Sequence, residues 1–167
     1  GSGQYGGSCE VFLVMKMWAA CRNDLKEWEA CLKNYQKPEQ LEVWPDIEHV
    51  PGFDPYGASC STPVRQTIDH LSGIEGAHGL AWLTRNRENL EGFSDAPLTM
   101  VFVAATALVD LGFTEEQGEM LFLLLRLPGA AAHALEQREN GWSKYPFFGD
   151  GLTLTDDPGP ATHSKTE

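Results

Sequence analysis

The run from Leu98 to Phe113, LTMVFVAATALVDLGF, constrains the fold more than any other stretch of this chain. It is too apolar and too rich in alanine to lie as a helix on a protein surface, so it predicts a helix buried on most sides. A helix of that kind needs other layers around it, and the rest of the chain supplies amphipathic segments of the same period.

In CEVFLVMKMWAACRND, Val11, Val14, Met15 and Trp18 recur at offsets of three and four, after a loop at Gly6 and Gly7. LKEWEACLKNYQ puts Leu25, Trp28, Cys31, Leu32 and Tyr35 on one side and ends before Lys37-Pro38. The breakers Pro45, Pro51, Gly52, Pro55 and Gly57 then forbid a long regular element over VWPDIEHVPGFDPYGASCS. Thr62-Pro63 predicts a helix start, with Thr62 as the cap, leading into VRQTIDHLSG. A further helix is predicted over GLAWLTRNRENL, followed by a turn at GFSDAP. Thr114 and Gln117 have the spacing of a capping box at the head of EEQGEMLFLLLRL. Leu127-Pro128-Gly129 is expected to break that helix sharply, because proline removes a backbone donor, before AAAHALEQREN resumes it as far as Gly141. The fold class expected is all-α. The polar, turn-rich residues 151–167 are expected to be a disordered tail.

The chain has 167 residues, with 24 acidic against 12 basic side chains and a formal charge of −12. That balance argues against a phosphate-tracking nucleic-acid surface. A local anion site is still compatible with it, and Arg126, Arg138 and Lys144 form a small basic island. No stretch approaches the roughly 18 apolar residues of a membrane span, and no basic-then-apolar leader opens the chain, so the expected location is cytoplasmic. Cys9, Cys21, Cys31 and Cys60 are widely spaced, which predicts thiols rather than disulfides or a zinc site; no metal is expected.

Arg126 at the break has two readings. It is either the solvated end of a kinked core helix or a guanidinium set in apolar surroundings to clamp a carboxylate. His133, two turns on, reads as a packed helix histidine, and His70 and His78 as solvent or cap residues. Arg85 to Glu88 reads as a solvated helix face. Tyr5, Gly6 and Gly7, ahead of a helix N-terminus, form a loop able to hold an anion.

Four blocks, in order, resemble the citrate synthase and citryl-CoA lyase superfamily. LFLLLRLPGAAAHALEQREN is similar to its C-terminal helix, with Ala-Arg, a Gly, then Ala-His and an acidic residue. GSGQYGGSCEV is similar to its Gly-x-x-His-Gly-Gly-x-x-Glu loop, VPGFDPYGASCSTPVRQ to its Gly-Phe-Gly-His loop with Asp-Pro-Arg, and TMVFVAATALVDLGF to the helix opened by Asn-Val-Asp-Phe. The resemblance implies a citrate-synthase-like small helical domain over 1–95 and C-terminal helices of the large domain over 96–150. It also implies chemistry by two histidines and an aspartate, with arginines holding carboxylates.

All three catalytic positions depart from the pattern. Tyr5 stands for the first histidine; Asp54, or Pro55 with a different gap, stands for the second; Val101 stands for the aspartate. Arg126 matches the carboxylate-binding arginine, Arg65 falls near the arginine that steers a CoA phosphate, and Tyr145-Pro146 replaces an Arg-Pro. Proton abstraction beside a thioester needs a base within about 3 Å of the carbon-bound hydrogen, and each acid-base group contributes roughly 100- to 10,000-fold. Valine supplies neither base nor donor. Tyr5 and Asp54 are therefore the candidate catalytic replacements, Arg126 the substrate-binding residue and Arg65 the CoA-binding one.

The resemblance implies a subunit or fragment of an acyltransferase or lyase that forms or cleaves a carbon-carbon bond in a CoA thioester of a hydroxy polycarboxylic acid. A CoA thioester enters as substrate or ligand, and no tightly bound cofactor is expected. The alternative is a non-catalytic subunit that binds CoA or a carboxylate for regulation or scaffolding; setting the resemblance aside leaves an acidic helical interaction protein. The apolar C-terminal helices call for a partner, either a second copy or a chain supplying the family's large N-terminal domain.

Overall fold

The computed structural model describes residues 7–36 and 49–140. Among them run seven helices: α1 (Ser8–Cys21), α2 (Leu25–Lys33), α3 (Thr62–Ser72), α4 (His78–Ser94), α5 (Met100–Asp110), α6 (Glu115–Leu125) and α7 (Leu127–Asn140). The architecture is all-α, with one isolated bridge between Phe53 and Leu98. The expectations for Tyr5, Lys37-Pro38, Gly141, Lys144, Tyr145-Pro146 and the tail lie outside the described residues.

The apolar run becomes α5, and its Val101, Phe102, Val103, Ala105, Thr106 and Leu108 are all buried. α1 and α4 pack against it, and α6 lies along α1. The approach of α6 depends on Gly118, where an added Cβ would stand 2.1 Å from the Met15 sulfur. Trp18 meets Trp28 and Trp82 edge-on at centroid distances of 5.2 and 5.3 Å, and Trp28 leads on to Phe102 and Phe53. This aromatic chain joins four helices to the 49–57 loop. Two of its indole N–H groups have buried acceptors: Trp18 Nε1 donates to Thr106 Oγ1 at 2.9 Å, and Trp28 Nε1 donates to the Arg22 carbonyl at 2.8 Å.

Three helix boundaries differ from the sequence expectation. α3 is capped by Ser61, which is extended (φ −64°, ψ 150°), so Thr62 is already helical and its hydroxyl accepts from Arg65 Nη2 at 3.2 Å. α4 runs through the expected turn to Ser94 and stops where Asp95 turns left-handed (φ 53°). Its end is pinned from within, because the Glu91 carboxylate accepts the Leu98 N–H at 3.0 Å and pairs with Arg87. Within Arg85 to Glu88, Arg85 and Glu88 are exposed as expected, whereas the Arg87 side chain, drawn to Glu91, is largely buried rather than solvated. The third difference is the break before α7, which falls on Arg126 itself. Pro128 sits in the first turn of α7, where a missing N–H costs nothing.

Three helix starts are held by side chains. At the head of α2, Asp24 Oδ1 accepts the N–H groups of Lys26 and Glu27 at 2.9 and 3.4 Å. α6 has the expected capping box of Thr114 and Gln117. α4 borrows its cap from α5: Asp110 accepts the N–H groups of Gly79 and Leu80 at 2.7 and 3.0 Å.

Candidate functional site

The 49–57 loop, the first turn of α1 and the start of α5 enclose a cleft of about 480 Å³, lined by Glu10, His49, Phe53, Asp54, Thr99 and Val101, among others. Its geometry starts from Glu10, a carboxylate on the otherwise apolar face of α1 and only 1% exposed. Oε2 accepts the Gly52 N–H at 2.9 Å, and Oε1 lies 3.4 Å from His49 Nε2. Burying a carboxylate is costly unless it is bonded, and this one is bonded into the loop it holds.

Gly52 is the other fixed point. Its φ of +84° suits glycine, and an added Cβ would meet Phe102 and Val14 atoms at 2.9 Å. Its carbonyl accepts both the backbone N–H and the hydroxyl of Thr99, at 3.0 and 2.9 Å, and Asp54 N–H donates to the Pro97 carbonyl at 2.9 Å. The loop is therefore tied to α1 on one side and to the lead-in of α5 on the other. A second cavity of about 680 Å³ shares His49, Pro55 and Tyr56 with the first and extends to Ala58 and Asp95. His49 lies where the two meet.

Of the residues expected from sequence, Asp54 and Val101 come together in this cleft. Asp54 Oδ1 accepts the Tyr56 N–H at 3.0 Å, closing a turn, while Val101 is buried and presents an apolar wall. Arg65 is on α3, half-buried, and its Nε is buried without a hydrogen-bond partner. It does not line the cleft. Tyr5 lies outside the described residues.

Arg126 lies elsewhere. It is exposed at the α6–α7 joint, its guanidinium carbon 5.9 Å from the centre of the Phe122 ring. It lines a groove of about 660 Å³ with Leu123, Leu127, His133 and Glu136. His133 is not packed as expected. Its side chain is 61% exposed and its Nδ1 is 2.9 Å from Glu136 Oε2, because α7 packs on α6 and carries no core of its own. His70 and His78 are exposed, and the His70 ring bonds its own helix at the Gln66 carbonyl.

Glu10 and His49 are the cleft residues that sequence reasoning did not single out. Glu10 carried a signal, an acidic residue among Val11, Val14 and Met15 on the buried face. His49 carried none, since it reads as part of the acidic stretch DIEH. The four cysteines are free thiols. Burial, followed by the nearby Glu91, pushes the Cys60 thiol up to about 11, and burial with the neighbouring Cys31 pushes Cys21 to about 12, so both stay protonated at neutral pH.

The cleft thus combines two carboxylates and an imidazole with apolar walls from Phe53 and Val101, a set able to bind a small polar ligand and exchange a proton with it. No family model matches the chain, and neither a curated protein nor a solved structure matches it.

Proposed function

We propose that the chain is a subunit or fragment of a citrate-synthase-like or citryl-CoA-lyase-like enzyme, forming or cleaving a carbon-carbon bond in a CoA thioester of a hydroxy polycarboxylic acid in the cytoplasm. The observation that carries this reading is convergence. Three blocks far apart in sequence, each of which resembles a superfamily motif (the stretch that carries Glu10, the Gly52–Tyr56 loop and the Thr99–Val101 lead-in), surround one cleft. In this reading the acyl group sits against Phe53 and Val101, and Asp54, with Tyr5, takes the part of the family histidines.

Arg126 then binds a carboxylate at the α6–α7 joint, where its charge stands among exposed Leu124, Leu125 and Leu127. Those leucines need a cover, and the partner is a second copy or a chain carrying the family's large N-terminal domain. Arg65, with its unsatisfied Nε, is the candidate for a CoA phosphate.

One observation favours a second reading, a non-catalytic subunit that binds CoA or a carboxylate: valine, which accepts no proton, stands where the family's aspartate belongs. Calorimetric titration of acetyl-CoA, CoA and citrate into the chain tests the binding that both readings share. Heat on addition of acetyl-CoA, and citrate heat that disappears in Arg126→Ala, is the expected result. Absence of heat from all three overturns both readings.

A further inference from the structure

We infer that the exposed seam of α6 and α7 pairs antiparallel with the same seam of a second copy of this chain, the two helices crossing at Ala131. This commits the partner left open above to one occupant, and it stands on the surface of α6 and α7 rather than on the chemistry of the cleft.

One side of α6 faces the bundle. Gly118 lies against Met15, and Leu121 and Phe122 pack on the core. The opposite side carries Met120, Leu124 and Leu127, which are 53%, 58% and 56% exposed. At offsets of three and four the row continues past the Arg126 joint through Ala131 and Leu135, the latter 61% exposed, to Arg138. Every residue from Leu124 to Glu136 is exposed, so α7 buries nothing before Gln137. A helix of 14 residues in that state is marginal in water without a cover.

Three properties of the seam match it to itself. The first is shape. Turned end for end about Ala131, the seam sets Leu127 level with the partner's Leu135, and Leu124 level with the partner's Arg138, whose aliphatic stem can cover a leucine. At the centre Ala131 meets the partner's Ala131, and two methyl side chains let the helices approach closely.

The second property is charge. The whole chain carries −12, yet between Gly118 and Arg138 the acidic Glu119 and Glu136 are balanced by Arg126 and Arg138, so two copies meet there without net repulsion. The acidic start of α6 sets the direction. Parallel pairing would bring Glu115, Glu116 and Glu119 of both copies together, whereas antiparallel pairing turns them toward the arginine end of the partner. Length is the third property. Met120 to Arg138 makes about 27 Å of helix, and a paired surface that long covers roughly 600–800 Å² per copy, the size of a stable dimer interface.

The test uses the full chain in sedimentation equilibrium, with introduced cysteines as rulers. Wild type is expected to sediment as a dimer. Leu127→Glu, which sets a carboxylate against the partner's Leu135, is expected to raise the dissociation constant at least about 100-fold with unchanged helix content by circular dichroism. Under mild oxidation Ala131→Cys is expected to form a disulfide-linked dimer, while Met120→Cys, about 33 Å from its own counterpart in this arrangement, is not. Wild type oxidised beside them reports any linking through the native thiols. Equal linking at both positions means parallel pairing or random encounter and overturns the inference, as does a dimer that Leu127→Glu leaves intact. Wild type that stays monomeric at about 100 μM overturns it too and leaves the seam to a different chain. The acyl-CoA reading is decided separately, by the titration of acetyl-CoA.

Discussion

The buried carboxylate of Glu10 accepts the backbone N–H of Gly52 at 2.9 Å across 42 residues of chain, joining α1 to the loop that forms the cleft. Removing the acceptor leaves a buried donor unpaired. Glu10→Ala is therefore expected to lower unfolding free energy by about 1–3 kcal/mol in urea, and to release the loop to proteolysis between residues 49 and 57. A change under about 0.5 kcal/mol would show that the bond contributes little.

Gly52→Ala tests the same junction from the other side. The left-handed backbone costs an alanine about 1–2 kcal/mol, and its Cβ presses on Phe102 and Val14, adding overpacking of about 1–3 kcal/mol. The expected outcome is a loss of roughly 2–5 kcal/mol in chemical unfolding. Wild-type stability would mean that the loop relaxes without strain.

The exposed leucines of the α6–α7 joint behave differently. Leu124→Ser with Leu127→Ser removes side chains that are 58% and 56% exposed, so each change is expected to alter stability by no more than about 0.5 kcal/mol. Self-association or partner capture, measured by analytical ultracentrifugation, is expected to fall. Unchanged association would exclude this face as an interface.

Cys60 gives a pH prediction. Its folded pKa is about 11 against an ordinary value of 9.0, so below pH 9 the thiol is neutral in both states and contributes no slope. Between about 9 and about 11 the unfolded chain loses the proton first, so stability falls as pH rises, by about 1–3 kcal/mol at order of magnitude. Cys60→Val is expected to flatten part of that decline in thermal unfolding measured across the window. The same slope in both proteins would contradict it.

Helix identity was legible in the sequence because period and capping are local properties. The apolar run became the buried α5, and Thr114 with Gln117 formed the capping box of α6. Boundaries were less legible where a side chain acts across the fold: α4 outlasts its expected turn because Glu91 pins Leu98, and it begins on a cap supplied by Asp110. The cleft was half legible. Asp54 and Val101 were read from motif order, whereas the meeting of Glu10 with His49 depends on how the 49–57 loop folds back on α1. His133 was misread because its alanine-rich helix has the composition of a packed one, yet it stays exposed.

The most direct test of the cleft as the ligand site is nuclear magnetic resonance mapping of backbone amides as acetyl-CoA is added. The predicted result is perturbation concentrated at Gly52 to Tyr56 and Thr99 to Val101, with the amide of Glu10 following. Perturbation confined to the α6–α7 joint, or none at saturating acetyl-CoA, would contradict it.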